Sequence, residues 1–491
     1  MREHGHVFAK DELEDILDST IGKTLGDVDR NNVFYKTVKH PKITGIAGSV
    51  VEESVLGYPA DSYQKPDLYV DGKDVEVKTT GLRRVKKSVN GELEAKEPMS
   101  VTAVSPKKIV YESFENSSFW HKLERLLLVY YLYDSEVTVP ASEYAKFPIV
   151  GYDFFEFDSL DREKLKNDWE IVRSFINNLQ LVHQDPTEHY PRISSELRSQ
   201  LMLIDTAPKW PNPPRFRLKR STVTTMVQKS FGKKFEQLEQ EYNTYEELDE
   251  QLKQFTKQYK NKTIQELLQI LNIPIKSNQI GDVSKSVTEQ IVTRMFGAKS
   301  KKIGKIELFS EIGLIAKTIT QTKQGTRTED TKLFKVDFDE WLDEKINFED
   351  SSLYSDFSER QFLFIIFQEQ DKSEKLLTNK FLGFKRVIFS EEFIENQVKS
   401  IWGDVRSKFF SNSLREEVML NKNGKPVINK NGTIKTSVNF PKSKDYDVFF
   451  RGTGRDSSDK TITIKGIDMY KQNVWIKGSV INEMLNSVDF L

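Results

Sequence analysis

"PDLYVDGKDVEVKTTG", residues 66–81, is the stretch on which the reading of this chain turns. Asp71-Gly72 separates two runs rich in β-formers. A type I′ turn asks for positive φ at both central positions, so the pair predicts a hairpin. Side chains alternate faces along a strand. In Asp74-Val75-Glu76-Val77-Lys78 the two valines therefore point one way, Glu76 and Lys78 the other. One face suits a core and the other charge. Taken alone, this is an amphipathic edge strand with a solvated Glu/Lys pair. A second reading starts from Asp67 on the opposite arm, whose carboxylate can converge with that of Glu76 on a twisted strand pair. Two such carboxylates suit a hard cation such as Mg²⁺, which takes few protein oxygens. Lys78 brings a compact positive charge to the same face, where it can steer a water or offset charge developing on a phosphate. That set is sufficient for phosphodiester hydrolysis.

The remainder of the chain narrows the choice. Its 491 residues exceed one ordinary core, so about two to four domains are expected, and 37% hydrophobic residues can fill them. There is no cysteine, which excludes disulfides, thiolate metal sites and a cysteine nucleophile and fits a reducing cytoplasm. The longest apolar runs, "LLLVYYLY" (126–133) and "FLFIIF" (362–367), fall far short of the ~20 residues of a membrane helix. They read as buried strands. The N-terminus lacks the apolar core of a signal peptide, so a cytoplasmic protein without a membrane partner is expected. A net charge of −1 argues against a nonspecific nucleic-acid coater but is compatible with a DNA enzyme whose positive charge is local. Local clusters exist in "LRRVKKS" (82–88), "RFRLKR" (215–220) and "KSKKIGK" (299–305).

Five segments recur in order. "GKTLGDVD" (22–29) pairs with "NKTIQELL" (261–268), and "SVVEESVLG" (49–57) with "EQIVTRMFG" (289–297). "DVEVKTT" (74–80) pairs with "GLIAKTI" (313–319), "LERLLLVYYLYD" (123–134) with "SERQFLFIIFQEQD" (358–371), and "FRLKRSTV" (216–223) with "VWIKGSVI" (474–481). The spacings agree: Thr24 to Lys78 and Thr263 to Lys317 are both 54 residues. A tandem duplication is the economical account. Each copy mixes helices and strands, indicating an α/β (mixed α+β) layer fold around a central sheet. Residues 231–271 read as a linker helix followed by the first helix of the second copy.

Together, "PD…EVK" and its setting, "GIAGSVVEESVLGYPADSYQKPDLYVDGKDVEVKTT" (45–80), resemble the MutH/Sau branch of the PD-(D/E)xK nucleases. The resemblance includes Glu53 shortly before Gly57, Lys65-Pro66-Asp67, "TLG" (24–26), "DWE" (168–170) and the late "FRLK" (216–219). It implies two tandem restriction-endonuclease-like domains, a catalytic one over 1–230 and a degenerate, DNA-binding or allosteric one over 235–491. It further implies that Asp67 and Glu76 bind Mg²⁺, that Lys78 positions the attacking water, and that Glu53 supplies a further acidic contact. Basic residues near the late strands, namely Lys209, Arg215, Arg217, Lys219 and Lys477, are the expected DNA contacts. Arg217 departs from the family, which has an aromatic residue there. The expected protein is a Mg²⁺-dependent type II restriction endonuclease that acts on double-stranded DNA. Its expected target is a short palindrome such as GATC, cut by a homodimer or across two target sites. A nicking repair endonuclease and a noncatalytic DNA-binding protein are the alternatives.

Overall fold

A computed structural model describes all residues except 1–5, 42, 44, 60–64, 86–90, 136–138, 207–213, 276–281, 327–328, 337, 345, 370–374, 422, 430–431 and 455–456. The chain divides into two compact units, Met1–Gln251 with Glu289–Ile315, and Leu252–Thr288 with Ala316–Leu491. Both are mixed α/β.

In the first unit, β1 (His6–Phe8), β2 (Leu68–Val70), β3 (Lys73–Arg84), β4 (Leu93–Ala95), β5 (Met99–Ala103), β6 (Leu126–Leu132), β7 (Ile149–Phe155), β8 (Ile204–Asp205) and β9 (Arg215–Leu218) form two sheets. The larger has the order β1-β2-β3-β6-β7, with β4 also paired to β3. The hairpin predicted at Asp71-Gly72 is present, with φ of 45° and 84° at the two turn residues, and β2 runs antiparallel to β3 with Leu68 opposite Val75. The central strand, β6, is buried along its whole length. It lies parallel to β3, Glu76 beside Leu126 and Lys78 beside Leu128, and antiparallel to β7. A strand covered on both faces needs a continuous apolar run, which is why "LLLVYYL" shows no alternation. Val75, Val77, Leu127 and Val129 face a core completed by Leu13 and Leu17 from the helix Lys10–Asp18. The smaller sheet, β5-β9-β8, leads into the helix Arg220–Ser230.

The second unit holds most of β10 (Leu314–Gln321), with β11 (Thr331–Lys335), β12 (Gln361–Gln368), β13 (Lys380–Val387), β14 (Glu416–Val418), β15 (Thr436–Val438), β16 (Val448–Thr453), β17 (Ile462–Ile464), β18 (Ile467–Met469) and β19 (Lys471–Ile476). Here the sheets are β10-β12-β13 and β11-β19-β16, with two small ribbons, β14-β15 and β17-β18. As in the first unit, the late strand is central in its three-stranded sheet and feeds directly into a helix, Gly478–Asn486.

Two expectations are corrected. Within 231–271 only Tyr245–Tyr259 and Ile264–Ile270 are helical. The stretch before them is irregular because Glu236 bridges Ile306 and its carboxylate accepts from the Lys299 and Ser300 amides. Residues 235–251 and 289–315, expected in the second copy, pack within the first unit. The short helix Glu307–Glu311 is tied there to the helix Arg220–Ser230 through Thr225–Ser310 at 2.8 Å and the Lys229–Glu307 ion pair.

Candidate active site

Glu76 is the center of the first unit's polar site. Its alternation-dictated face is not solvated: the side chain is only 2% exposed, because β3 lies inside the sheet and not at its edge. A buried carboxylate needs compensation, and two lysines supply it. The Lys78 Nζ lies 2.6 Å from Glu76 Oε1, and the Lys122 Nζ donates to both carboxylate oxygens at 2.9 and 3.0 Å. Asp67 is fixed beside them by the Val77 amide, which donates to its Oδ2 at 3.0 Å. Burial first, and then the negative charge of Glu76, push the Asp67 carboxyl up to about 6.

The structure therefore brings Asp67, Glu76 and Lys78 together. Glu53 is placed differently. It sits on a π-type turn, Val51–Val55, and its carboxylate pairs with Lys36 at 2.5 Å; among the described residues no contact joins it to the other three. Lys122 had no motif to announce it. The available signal was positional: it precedes by four residues Leu126, the neighbour of Glu76 in the parallel register.

Among the described residues, no group of three or more His, Cys, Asp or Glu side chains stands together as a metal-ligand set. The donor chemistry of Asp67 and Glu76 nevertheless fits a hard divalent ion: two carboxylates held close enough for one to raise the other's pKa are relieved by a cation.

The expected DNA contacts separate sharply. Arg215 is exposed. Arg217 is held by Asp205 in a bidentate pair at 2.8 and 2.9 Å. Lys219 is buried, 2% exposed, with its Nζ donating to the Leu201 carbonyl at 2.5 Å. As a direct contact Lys219 is corrected: its ammonium faces the interior, where the DWE aspartate also lies. Asp168, itself buried, accepts from the amides of Met202, Leu203 and Ile204 at 2.7, 2.7 and 3.1 Å. Burial pushes its carboxyl up to about 6, against those amides and Lys219. Asp168 thus ties the helix Ser159–Val182 to the chain entering β8. Lys209 lies outside the described residues.

In the second unit, Lys317 donates to the Lys332 carbonyl at 2.8 Å, and Lys477 pairs with Asp447 at 2.9 Å. Ile315 stands where the spacing to Lys317 matches that of Glu76 to Lys78. Glu307, which stands ten residues after Gly297 as Asp67 stands ten after Gly57, is engaged by Lys229 and Gln237 within the first unit.

Set against known proteins, residues 56–168 match the family model of MutH, described as DNA mismatch repair enzyme MutH. The span contains Asp67, Glu76, Lys78 and Lys122 and ends at Asp168. The matched segment is MutH-like and supports a restriction-endonuclease-like fold for the part of the chain that carries these residues. The type II restriction enzyme Sau3AI of Staphylococcus aureus is 25% identical to this chain over 379 residues, covering 72% of each chain.

Proposed function

We propose that the protein is a type II restriction endonuclease that hydrolyses phosphodiester bonds of double-stranded DNA at a specific short palindrome, GATC being the first candidate. Site-specific DNA cleavage is supported by both relatives. Use of a divalent metal is general in this class of nuclease, and Mg²⁺ is the ion proposed here, held by Asp67 and Glu76. The observation that carries the reading is the buried Glu76 carboxylate, flanked by two lysines and by Asp67, inside the segment that matches MutH.

When bound, the ion supplies Lewis acidity to the phosphate. The chain's own groups do the rest. Lys78, the more exposed of the two lysines, offers its ammonium to the attacking water and to the charge that grows on the phosphoryl oxygens as the water's oxygen bonds to phosphorus and the bond from phosphorus to the leaving sugar oxygen breaks, the water losing a proton to solvent and the leaving oxygen taking one up. Lys122, buried against both Glu76 oxygens, fixes that carboxylate's position. Glu53 is proposed as an outer acidic contact that leaves Lys36 when DNA binds.

The second copy, residues 235–491, is proposed to be degenerate, to bind DNA and to promote cleavage by the first copy, either across two target sites or within a homodimer on DNA. Ile315 cannot ligate a metal, and Thr293, which stands four residues before Gly297 as Glu53 does before Gly57, is buried with its hydroxyl donating to backbone carbonyls. The matched strand order and the placement of Lys219 and Lys477 at the start of a late helix support a common origin.

Plasmid cleavage in Mg²⁺ and in EDTA tests the reading. Discrete linear fragments in Mg²⁺ are expected. Nicked circles alone would favour a repair nicker, and binding without cleavage a noncatalytic DNA-binding protein. Sequencing the fragment ends tests GATC.

A further inference from the structure

Among the described residues, the ribbon β14-β15 has no counterpart in the first unit. Its strands pair antiparallel, Glu416 with Val438 and Val418 with Thr436. At the root, Asn439 is buried and clamps the ribbon from both sides: its Oδ1 accepts from the Arg415 amide at 3.1 Å and its Nδ2 donates to the Ser413 carbonyl at 3.0 Å. Beyond Val418 the ribbon splits. Val427 wedges between the arms, its amide donating to Met419 and its carbonyl accepting from Lys435, both at 2.8 Å. On either side of it the sequence repeats "NKNG", at 421–424 and again at 429–432, and each repeat carries one loop-closing bond. Each loop closes the same way. Asn421 and Asn429 accept from Gly424 and Gly432 at 2.9 Å, and those glycines take φ of 73° and 83°, a left-handed conformation that costs glycine little.

The surface chemistry of the ribbon's tip is one-sided. Residues 418–435 contain four lysines and no acid. The acids at the root are neutralised where they stand, Glu417 by Arg415 at 2.9 Å and Lys442 at 3.0 Å, Glu416 by Lys460 at 2.6 Å. Lys425 and Lys435 are exposed, and no carboxylate among the described residues pairs with either. Between them the tip holds out Leu420, Ile428 and Ile434, each more than half exposed. A cluster of exposed aliphatic groups marks a contact surface, and the charge decides with what. A second copy of this tip would be repelled; a polyanion with apolar edges would not.

We propose that this tip is a DNA-binding arm, with Lys425 and Lys435 on phosphates of the duplex and Leu420, Ile428 and Ile434 against base edges in a groove. A two-stranded ribbon fits a DNA groove, and aliphatic side chains pack there on thymine methyls or between base steps. The arm rests on the endonuclease reading above and identifies which part of the second unit grips the substrate.

The test uses the full-length protein and a target-containing duplex in Ca²⁺, with affinity followed against salt by fluorescence anisotropy. The double variant K425A/K435A is expected to bind more weakly and to lower the slope of log K against log[salt] by about two, near 0.9 for each phosphate contact removed. L420S/I428S is expected to weaken binding with the slope unchanged. Wild-type binding matched by both variants overturns the arm while leaving the nuclease reading intact. A wild-type protein that neither binds nor cuts duplex DNA overturns both. If L420S/I428S changes sedimentation of the free protein and not its DNA affinity, the tip is a protein interface and the proposal is wrong.

Discussion

Trp169 and Trp402 stand 233 residues apart, and each has an arginine four residues further along its helix, Arg173 and Arg406. Both guanidinium groups lie over their tryptophans, at 5.9 and 5.0 Å from the ring centers. Both also cap the end of a short helix: Arg173 donates to the Val110 carbonyl at 3.2 Å, and Arg406 to that of Asp343, again 233 residues on, at 2.6 Å. The agreement extends to irregularities. The β5-β9 pair slips register between Ser100 and Thr102, and β11-β19 between Lys332 and Phe334. The β6-β7 pair slips at Tyr130/Tyr131, and β12-β13 at Ile366/Phe367. Thr24 bridges the residue before β7, and Thr263 bridges the first residue of β13. Bulges re-aim strands and are specific features, so their recurrence argues for duplication more strongly than a shared strand order does.

Against that common frame the differences are chemical. Glu76 has Ile315 at its matched position, and Asp168, one residue before Trp169, has the buried Ile401 before Trp402. The first copy retains buried carboxylates with dedicated partners; the second copy has aliphatic side chains at those places. Buried charge is costly to maintain unless paired. On the proposal that the second copy has been released from catalysis, it has no reason to keep such charge, while the arginine and tryptophan that hold its helices are still needed for folding.

The comparison breaks first at the catalytic hairpin. D67N and E76Q are expected to lower cleavage on the order of 10²–10³-fold or more, as loss of a transition-state electrostatic group does, with DNA binding in Ca²⁺ retained; K317A should leave single-turnover cleavage unchanged. Equal losses from both units would refute the division of labour. Next comes Asp168. D168A strands three buried amides, each costing about 1–3 kcal/mol, so urea denaturation should show a loss of about 3 kcal/mol or more. At the matched position I401V removes one methyl and should cost about 1 kcal/mol.

The last expected effect concerns pH and is confined to the first unit. Burial, and then the neighbouring Asp161, push the Glu311 carboxyl from 4.5 up to about 8, with Lys164 at 3.5 Å as its cationic neighbour. The folded state therefore holds a proton that the unfolded chain releases above about 4.5. Its contribution to stability is fully present below that pH and is lost as pH rises through about 8. The urea midpoint should fall between pH 5 and 8.5, and E311Q should flatten the fall. An identical slope in the variant would remove Glu311 from the account.

The local sequence determined the hairpin, since Asp-Gly between β-runs leaves few alternatives, and it determined the buried strands, whose apolar runs are too short for a membrane and too continuous for an edge. It also placed Asp67, Glu76 and Lys78 in one short segment, where alternation alone sets Glu76 and Lys78 on a common face. What alternation could not decide was whether that face is wet. Only the insertion of β3 between β2 and β6 buries Glu76, and only the turn before β6 delivers Lys122, 46 residues away in sequence, to its carboxylate. The basic late strand shows the same limit. "RFRLKR" reads as a row of cations, but Asp205 and the Leu201 carbonyl, brought in by the neighbouring strand and loop, turn Arg217 and Lys219 inward. Charge is written in the sequence; whether a charge faces DNA, a partner or the core depends on contacts distant along the chain, which a one-dimensional pattern does not encode.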